Sequence, residues 1–262
     1  MLSNYKRMEF IKTHIEDHIY HILLDRGKSN ALHFEMVEEL IMAIDAAAED
    51  PAVEGLILSG KENFFTSGLD LITLYQYDEV QMKSFWNSFI VLLHKLVSFP
   101  KPAVSAITGH SPAGGCVMAI CCDYRVMADG DFIIGLNELP VGIVVPESIF
   151  KLYSIWLGEG NAYRSLLEGK LFNPSEAKEI GLVDEVVQFN RIQSAAMHKI
   201  KSVTQYEKNA WRISKLNFRK NLIAEFEKDQ TETINQVLEQ WWKPSTRAIL
   251  KTIIENLTQK KV

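Results

Sequence analysis

The sequence Gly109-His110-Ser111-Pro112-Ala113-Gly114-Gly115-Cys116-Val117 connects two apolar runs of the chain. Residues 103–108 before it form a short apolar run, which is typical of a buried strand. Residues 116–122 after it are apolar over a length sufficient for two helical turns. The stretch therefore predicts a strand, a glycine-containing turn, and a helix whose first N–H groups have no acceptor within the helix.

A helix that begins in this way can stabilise negative charge that develops on an oxygen atom in front of it. Two other segments offer groups that would complete such a site. Glu138 follows the apolar run 132–136, which predicts a carboxylate at a strand end, and Ser67 lies in a turn after the predicted strand 54–59. A lone carboxylate beside two backbone N–H donors indicates proton abstraction next to a carbonyl group.

Four motifs resemble the crotonase (enoyl-CoA hydratase/isomerase) superfamily. They are Phe-Thr-Ser-Gly-Leu-Asp-Leu at 65–71, Pro-Ala-Gly-Gly-Cys at 112–116, Asp-Tyr-Arg at 123–125 and Gly-Leu-Asn-Glu at 135–138. The first and last are most similar to the short-chain Δ3,Δ2-enoyl-CoA isomerase branch. The resemblance extends over roughly residues 8–190, and the rest of the chain is compatible with it but less distinctive.

The resemblance implies an isomerase that shifts the double bond of a 3-enoyl-CoA to the 2-trans position in fatty acid β-oxidation. The backbone N–H groups of Ser67 and Gly114 would bind the thioester oxygen. Glu138 would remove a proton from C2 and return it to C4 of the resulting dienolate. Coenzyme A would arrive as part of the substrate, so no separate cofactor is expected.

The resemblance also assigns residues that bind the substrate. An early loop would contact the adenine and phosphates of CoA, although a solvated basic turn remains an equal alternative for Lys28. Aromatic side chains after the first turn would line the acyl tunnel, or would pack in the core: Tyr75, Tyr77, Phe85 and Trp86. The full predicted substrate-binding set is Lys28, Ser29, Ala31, Ser67, Gly68, Leu69, Asp70 and Gly114.

Alternatives to this function remain open. By the resemblance, the hydratase branch has a second glutamate where this chain has Val117, which counts against a hydratase. An enoyl-CoA hydratase, or another crotonase that acts through a CoA-thioester enolate, is therefore the second enzyme hypothesis, with Glu147 as the reserve base. A catalytically inactive acyl-CoA-binding or scaffold protein is the non-enzyme hypothesis. Residues 109–113 also resemble a nucleophile elbow, but Pro112 lacks the N–H that this elbow needs.

Composition excludes several classes of function. The 262 residues carry a net charge of −5 with no dense basic run, so nucleic-acid binding is not expected. No apolar stretch approaches the length of about 20 residues that a membrane span needs, so none is expected. The three cysteines fall within residues 116–122 and are predicted to be buried, which favours a reducing compartment. The seven histidines show no ligand spacing, so no metal is predicted. A cytoplasmic location is expected, or the mitochondrial matrix or peroxisome if a targeting segment has been removed.

Alternation of strand and helix patterns predicts an α/β fold, and the resemblance specifies a crotonase-type spiral of ββα units. Residues 1–195 are predicted to form this core with the acyl-CoA site. Helical patterns extend over residues 196–262, and the resemblance implies that this is a C-terminal helical oligomerisation region that packs subunits into a homotrimer or a dimer of trimers. The alternative is a helical cap on the same monomer. Strands are predicted at 18–24, 54–59, 103–108, 124–128 and 132–136.

Overall fold

Ten strands and eleven α-helices lie within residues 8–259, the part of the chain that the computed structural model describes. The strands are β1 (Ile11–Glu16), β2 (Ile19–Leu24), β3 (Gly55–Ser59), β4 (Asn63–Phe64), β5 (Ala103–Ile107), β6 (Gly109–Pro112), β7 (Tyr124–Ala128), β8 (Ile134–Gly135), β9 (Leu171–Phe172) and β10 (Glu185–Val187). The helices are α1 (Phe34–Glu49), α2 (Leu71–Leu74), α3 (Glu79–Val97), α4 (Gly114–Cys121), α5 (Glu147–Leu157), α6 (Glu159–Glu168), α7 (Pro174–Glu179), α8 (Ile192–Thr204), α9 (Lys208–Glu227), α10 (Thr231–Trp242) and α11 (Pro244–Gln259).

The strands form two sheets. The larger sheet has the order β1-β2-β3-β5-β7-β10, and all its neighbours are parallel except the antiparallel pair β1–β2. The smaller sheet has the order β4-β6-β8-β9, in which β4, β6 and β8 are parallel. From β3 to β8, each turn of the chain thus adds one strand to the large sheet, one strand to the small sheet, and then one or two helices. This is the ββα spiral that the family resemblance implies.

The small sheet determines where the functional groups lie. Because β4, β6 and β8 are parallel, their carboxyl ends lie at the same edge of the sheet. The turns that leave these ends contain residues 65–70, 113–114 and 136–138. Three segments that are far apart in the sequence are therefore brought together by strands of only two to four residues.

The predicted α/β class and helical C-terminal region are confirmed. The strand predicted at 124–128 coincides with β7, and Asn173 caps α7 in a reciprocal capping box with Glu176. The strand predicted at 132–136 is shorter, since only Ile134–Gly135 pairs with its neighbours. No strand follows β10 within the described residues, and helices occupy the chain from α8 onward.

The helices after β10 pack on their own chain. Leu222, Phe226, Val237 and Trp241 are buried in the same apolar core as α3 and α4. Helix α8 covers one face of the large sheet and contains the point between residues 195 and 196 at which the sequence predicts a division. The division into two regions and the oligomerisation role therefore stay predictions, while a capping role on the same monomer is visible.

The three cysteines of α4 and its end, Cys116, Cys121 and Cys122, are free and fully buried, as predicted. Burial raises the pKa of the Cys116 thiol above its ordinary value. Helices long and apolar enough to cross a membrane are absent from residues 8–259.

Candidate active site

A cavity of about 110 Å³ lies at the carboxyl edge of the small sheet. Each of the three turns contributes to it, through Ser67 and Leu69, Gly114, and Glu138. The remaining walls are mostly apolar and come from α2, α3, α4 and the segment before and within α5: Leu71, Trp86, Phe89, Pro112, Ala113, Val117, Val141, Ile143, Val144, Pro146 and Ile149, with Asn137 beside the carboxylate. The geometry thus joins a carboxylate, backbone N–H groups and an apolar channel.

The turn after β6 supplies the first backbone donor. Gly114 is the first residue of α4, so helical geometry leaves its N–H without an intrahelical acceptor. The preceding Ala113 has a φ of 49°, a left-handed conformation that redirects the chain from strand to helix. The structure therefore places the Gly114 N–H at the cavity, as the sequence predicts.

The turn after β4 differs from the prediction. The N–H of Ser67 donates a hydrogen bond of 2.9 Å to the carbonyl oxygen of Ser29 and is not free to bind a ligand. The Ser67 hydroxyl lies 3.2 Å from that of Ser29, so the side chain also faces the early loop. Assignment of the Ser67 N–H as an oxyanion donor is therefore corrected by the structure.

Leu69 supplies the N–H that Ser67 does not. Leu32 forms a parallel bridge with Leu69, in which the Leu32 N–H donates to Gly68 and the Leu32 carbonyl accepts from Asp70, both at 2.8 Å. In such a parallel bridge, the residue between Gly68 and Asp70 directs its own N–H away from the partner segment that contains Leu32. That residue is Leu69. The Leu69 N–H has no acceptor among residues 8–259, and Leu69 lines the cavity.

Close packing fixes the two turns against each other. Gly68 has a φ of +83°, and a Cβ there would lie 3.2 Å from the Gly114 nitrogen. A Cβ on Gly115 would lie 2.7 Å from the carbonyl oxygen of Thr66, which is too short for any real contact. The glycines thus let the first turn approach the start of α4 at backbone distance.

Asp70 holds the first turn in place rather than facing the cavity. Its carboxylate accepts hydrogen bonds from the N–H and hydroxyl of Thr73 and from Arg26 at 2.7 Å. Burial opposes ionisation, but these hydrogen bonds and the Arg26 charge keep the pKa of Asp70 below its ordinary value. Arg26 also donates to the carbonyl of Ala31 at 2.8 Å, which ties the early loop to the turn.

Glu138 lies three residues beyond β8, at the start of the short 3-10 helix Leu139–Val141. Its Oε2 atom is buried and has no hydrogen-bond partner within residues 8–259. Burial raises the pKa of Glu138 from 4.5 to about 7. A carboxylate with this pKa can accept and return a proton near neutral pH.

Comparisons with known proteins agree with this geometry. The family model described as "Enoyl-CoA hydratase/isomerase" matches residues 14–253. The chain belongs to the enoyl-CoA hydratase/isomerase family.

Relatives within the family include both isomerases and hydratases. The chain is 34% identical to mitochondrial enoyl-CoA delta isomerase 1 of Mus musculus over 88% of this chain and 81% of the relative. It is 30% identical to a putative enoyl-CoA hydratase of Thermus thermophilus over 74% and 77%. The crystal structure of human mitochondrial delta3-delta2-enoyl-CoA isomerase superposes with a TM-score of 0.93 at 28% identity and covers 97% of this chain and 100% of that one.

Within this family member, position 117 faces the cavity. Val117 is buried on α4 and lines the same cavity as Glu138. Its side chain cannot donate or accept a proton. Among the described residues that line the cavity, Glu138 has the only titratable side chain.

Glu147, the reserve base, lies outside the cavity. It begins α5 with 66% of its side chain exposed and forms an ion pair of 2.7 Å with Lys151. The same ammonium group contacts Glu225 at 2.6 Å. Glu147 therefore belongs to a surface charge cluster, and a role as base at Glu138's cavity does not fit its position.

The predicted CoA loop borders the site without lining the cavity. Ser29 and Ala31 offer carbonyl groups to Ser67 and Arg26, and Lys28 is exposed. Lys28 forms no ion pair with any residue in the range 8–259. This loop can therefore meet an anionic group outside the cavity, and its contact with CoA stays a prediction.

The aromatic side chains that line the cavity agree only in part with those predicted for the acyl tunnel. Trp86 lines the cavity, whereas Phe85 is buried behind it, and Tyr75 packs 3.4 Å under the guanidinium of Arg247. Phe89, which no sequence pattern assigns to the site, lines the cavity about one helical turn after Trp86. Spacing of three residues on an amphipathic helix is the signal that could have identified it.

Proposed function

We propose that this family member is a Δ3,Δ2-enoyl-CoA isomerase. The observation that carries the proposal is a buried carboxylate, Glu138, in a cavity that is also lined by Leu69 and Gly114, whose backbone N–H groups have no acceptor among residues 8–259. A proton shift between two carbons of one substrate requires one acid-base group. Addition of water requires that the water be positioned and activated as well.

The thioester oxygen of the substrate accepts hydrogen bonds from the N–H groups of Leu69 and Gly114. Glu138 removes a proton from C2, and the electron pair of the C2–H bond delocalises over the thioester and the neighbouring C3=C4 bond. The dienolate oxygen carries the negative charge between the two donors, each of which typically contributes about 3–4 kcal/mol to transition-state stabilisation. Glu138 then returns the proton to C4, which leaves a C2=C3 double bond.

Val117 supports isomerisation over hydration. In the hydratase branch, by the resemblance, a second carboxylate at this position helps to hold the water. Here an apolar side chain occupies that wall, and Glu147 is too far out on the surface to replace it. Any hydration should therefore be a minor activity.

Apolar walls and the neighbouring loop support an acyl-CoA substrate. Trp86, Phe89 and Ile149 suit an acyl chain, while the exposed Lys28 suits a phosphate of CoA. Coenzyme A enters only as part of the substrate in this proposal. The mouse relative is mitochondrial by name, which favours a role in mitochondrial fatty acid β-oxidation over a cytoplasmic one.

The decisive experiment assays 3-enoyl-CoA isomerisation and 2-enoyl-CoA hydration side by side. Wild-type protein should isomerise efficiently and hydrate slowly, and Val117→Glu should raise hydration relative to isomerisation. A buried unpaired carboxylate costs several kcal/mol, so this variant is expected to be less stable. Efficient hydration by the wild type would favour the hydratase alternative, and absence of both activities would favour the inactive binding or scaffold protein.

We also propose a homotrimer or a dimer of trimers. Apolar side chains remain exposed on α5 and α9, including Phe218 at 87%, Ile155 at 49% and Ile213 at 45%. A surface of this kind is typically covered in a symmetric assembly. Light scattering should therefore give a mass of at least three chains, and a stable monomer of about 30 kDa at micromolar concentration would contradict the proposal.

A further inference from the structure

The hairpin of β1 and β2 brings together three side chains that the active site does not use. His14 and His21 are directly opposite each other in the antiparallel register. Their rings stack with centroids 4.5 Å apart and an interplanar angle of 11°. Glu16 lies two residues after His14, so it projects from the same face of the strand. One potential ligand atom from each of the three residues lies within 4.8 Å of the other two.

The polar atoms of this cluster are incompletely satisfied. His21 is 7% exposed, and its Nε2 atom is buried without a hydrogen-bond partner among residues 8–259. The nearest carboxylate oxygen, Oε2 of Glu16, is 4.0 Å away, beyond hydrogen-bond distance. A buried nitrogen of this kind normally has a partner. His14 and Glu16 are exposed, so an ion from solution can reach it.

We propose that His14, Glu16 and His21 form a binding site for a divalent transition-metal ion, with Zn²⁺ as the best match. Two imidazole nitrogens and one carboxylate oxygen are ligands that Zn²⁺ prefers, and three protein ligands with one solvent position complete a tetrahedron. Ligand atoms about 2.1 Å from a tetrahedral ion lie about 3.4 Å from one another. Closure to this distance requires rotation of the exposed side chains of His14 and Glu16 toward the buried His21.

The surroundings leave room for the fourth ligand. The three residues line a cavity of about 360 Å³ between the hairpin and α8, together with Ser59, Gln193 and Ser194. A water on the metal would find hydrogen-bond partners in these polar side chains. The cavity shares no lining residue with that of Glu138, so the metal would join β1 to β2 and leave the isomerase site unaltered.

Linear spacing does not reveal this site. The prediction of no metal rests on the absence of a known spacing among the histidines, whereas His14 and His21 meet through the register of a hairpin. Cross-strand pairing places their side chains about as close as neighbours on one helix face. The inference comes from the fold and is independent of the proposed isomerase function.

Isothermal titration of the full, untagged chain with Zn²⁺ tests the proposal, and Co²⁺ absorption reports the coordination geometry. Wild-type protein should bind one Zn²⁺ saturably, gain thermal stability, and give intense visible Co²⁺ bands. His14→Ala and Glu16→Gln should each weaken binding by at least about tenfold, the smallest loss expected even for an outer partner of a ligand. His198→Ala removes an exposed histidine of α8 outside the cluster and should leave binding unchanged.

His21 is buried, so its replacement can destabilise the hairpin and would not separate metal binding from folding. His14 and Glu16 are exposed, so their variants should fold normally by circular dichroism. Absence of saturable binding in the wild type would overturn the proposal. Equal binding by the wild type, His14→Ala and Glu16→Gln would also overturn it, because the metal would then lie elsewhere on the chain.

Discussion

In the proposed mechanism, the turns after β4 and β6 each supply one N–H donor to the same cavity, but they do so by different means. After β6 the donor is the first N–H of α4, which any helix leaves free at its start. After β4 the chain is irregular, and pairing with residues 29–32 determines which N–H groups are bonded within the protein and which can reach the cavity. One donor is thus fixed by local helix geometry, and the other by a contact with a distant segment.

This difference explains why one donor is predictable from sequence and the other is not. Gly114 follows from the rule for helix starts. Ser67 and Leu69 are two residues apart in the same turn, and nothing local distinguishes their N–H groups. Only the bridge between Leu32 and Leu69 shows that the Leu69 N–H points to the cavity while that of Ser67 binds Ser29.

Replacement of Glu138, the proposed base, should lower isomerase activity more than any other change. Glu138→Gln keeps the shape of the side chain and should lower isomerase kcat by about 10²–10⁴-fold, the usual contribution of a positioned acid-base group. Acyl-CoA binding should persist. Retention of more than about a tenth of wild-type turnover would mean that another group takes the proton.

The same variant should gain stability above neutral pH. Because the folded-state pKa of Glu138 is raised from 4.5 to about 7, ionisation of Glu138 opposes folding increasingly between these values, and fully above about 7. Glu138→Gln should therefore unfold at higher denaturant at pH 8, by about 1–3 kcal/mol after allowance for a buried amide. The gain should vanish well below pH 4.5, where Glu138 is protonated in both the folded and the unfolded wild type.

Backbone ester substitution separates the two N–H groups of the first turn. Replacement of Leu69 by its α-hydroxy acid removes one N–H and should lower kcat by about 10²–10³-fold. The matched ester at Ser67 should cost about 1 kcal/mol of folding free energy, through the lost bond to Ser29, with less than about a tenfold change in kcat. The reverse pattern would restore Ser67 as the donor.

A change of pH should lower kcat/KM gradually, and by less than the Glu138→Gln substitution does. Glu138 must be ionised in the free enzyme to accept the C2 proton, so kcat/KM should fall about tenfold per pH unit below about 7 and level off above it. Stopped assays from pH 5 to 9 with a stable 3-enoyl-CoA would show this. Residual activity of Glu138→Gln should lack the inflection, and an inflection near 4.5 in the wild type would contradict the effect of burial.

Ser67→Ala should have the smallest effect. It keeps the N–H bond to Ser29 and removes only a 3.2 Å contact between two hydroxyl groups. A weak bond of this kind contributes about 0.5 kcal/mol, so kcat/KM should change by about threefold or less. A loss comparable to that of the Leu69 ester would show that the hydroxyl acts on the substrate.

Elements with a local sequence signal could be predicted, and so could the position of a site residue that lies at the end of such an element. Strand β7, the start of α4, the cap at Asn173 and the helices after β10 all have local signals. Strands β4 and β8 have two residues each, too few for an alternating pattern, and they are stable only because distant strands pair with them. The small sheet that assembles the site is thus the part that sequence patterns reveal least.

Other differences have signals that the predictions did not use. No prediction covers α5, although Ile149, Leu152 and Tyr153 recur at helical spacing. Placement of Glu147 outside the cavity follows from its position at the start of that helix, where it pairs with Lys151. The histidine cluster, by contrast, depends on hairpin register and has no one-dimensional signature.

The close approach of Thr66 to Gly115 has a consequence for how the enzyme uses energy during a turnover. Since backbone packs directly on backbone there, the N–H dipoles that would face the reacting oxygen in the proposed mechanism have almost no freedom to reorient. Water around a free thioester must rotate as charge develops, and that reorganisation is part of the uncatalysed barrier. In this protein the corresponding alignment is completed once, when the chain folds, and every later reaction begins with it in place.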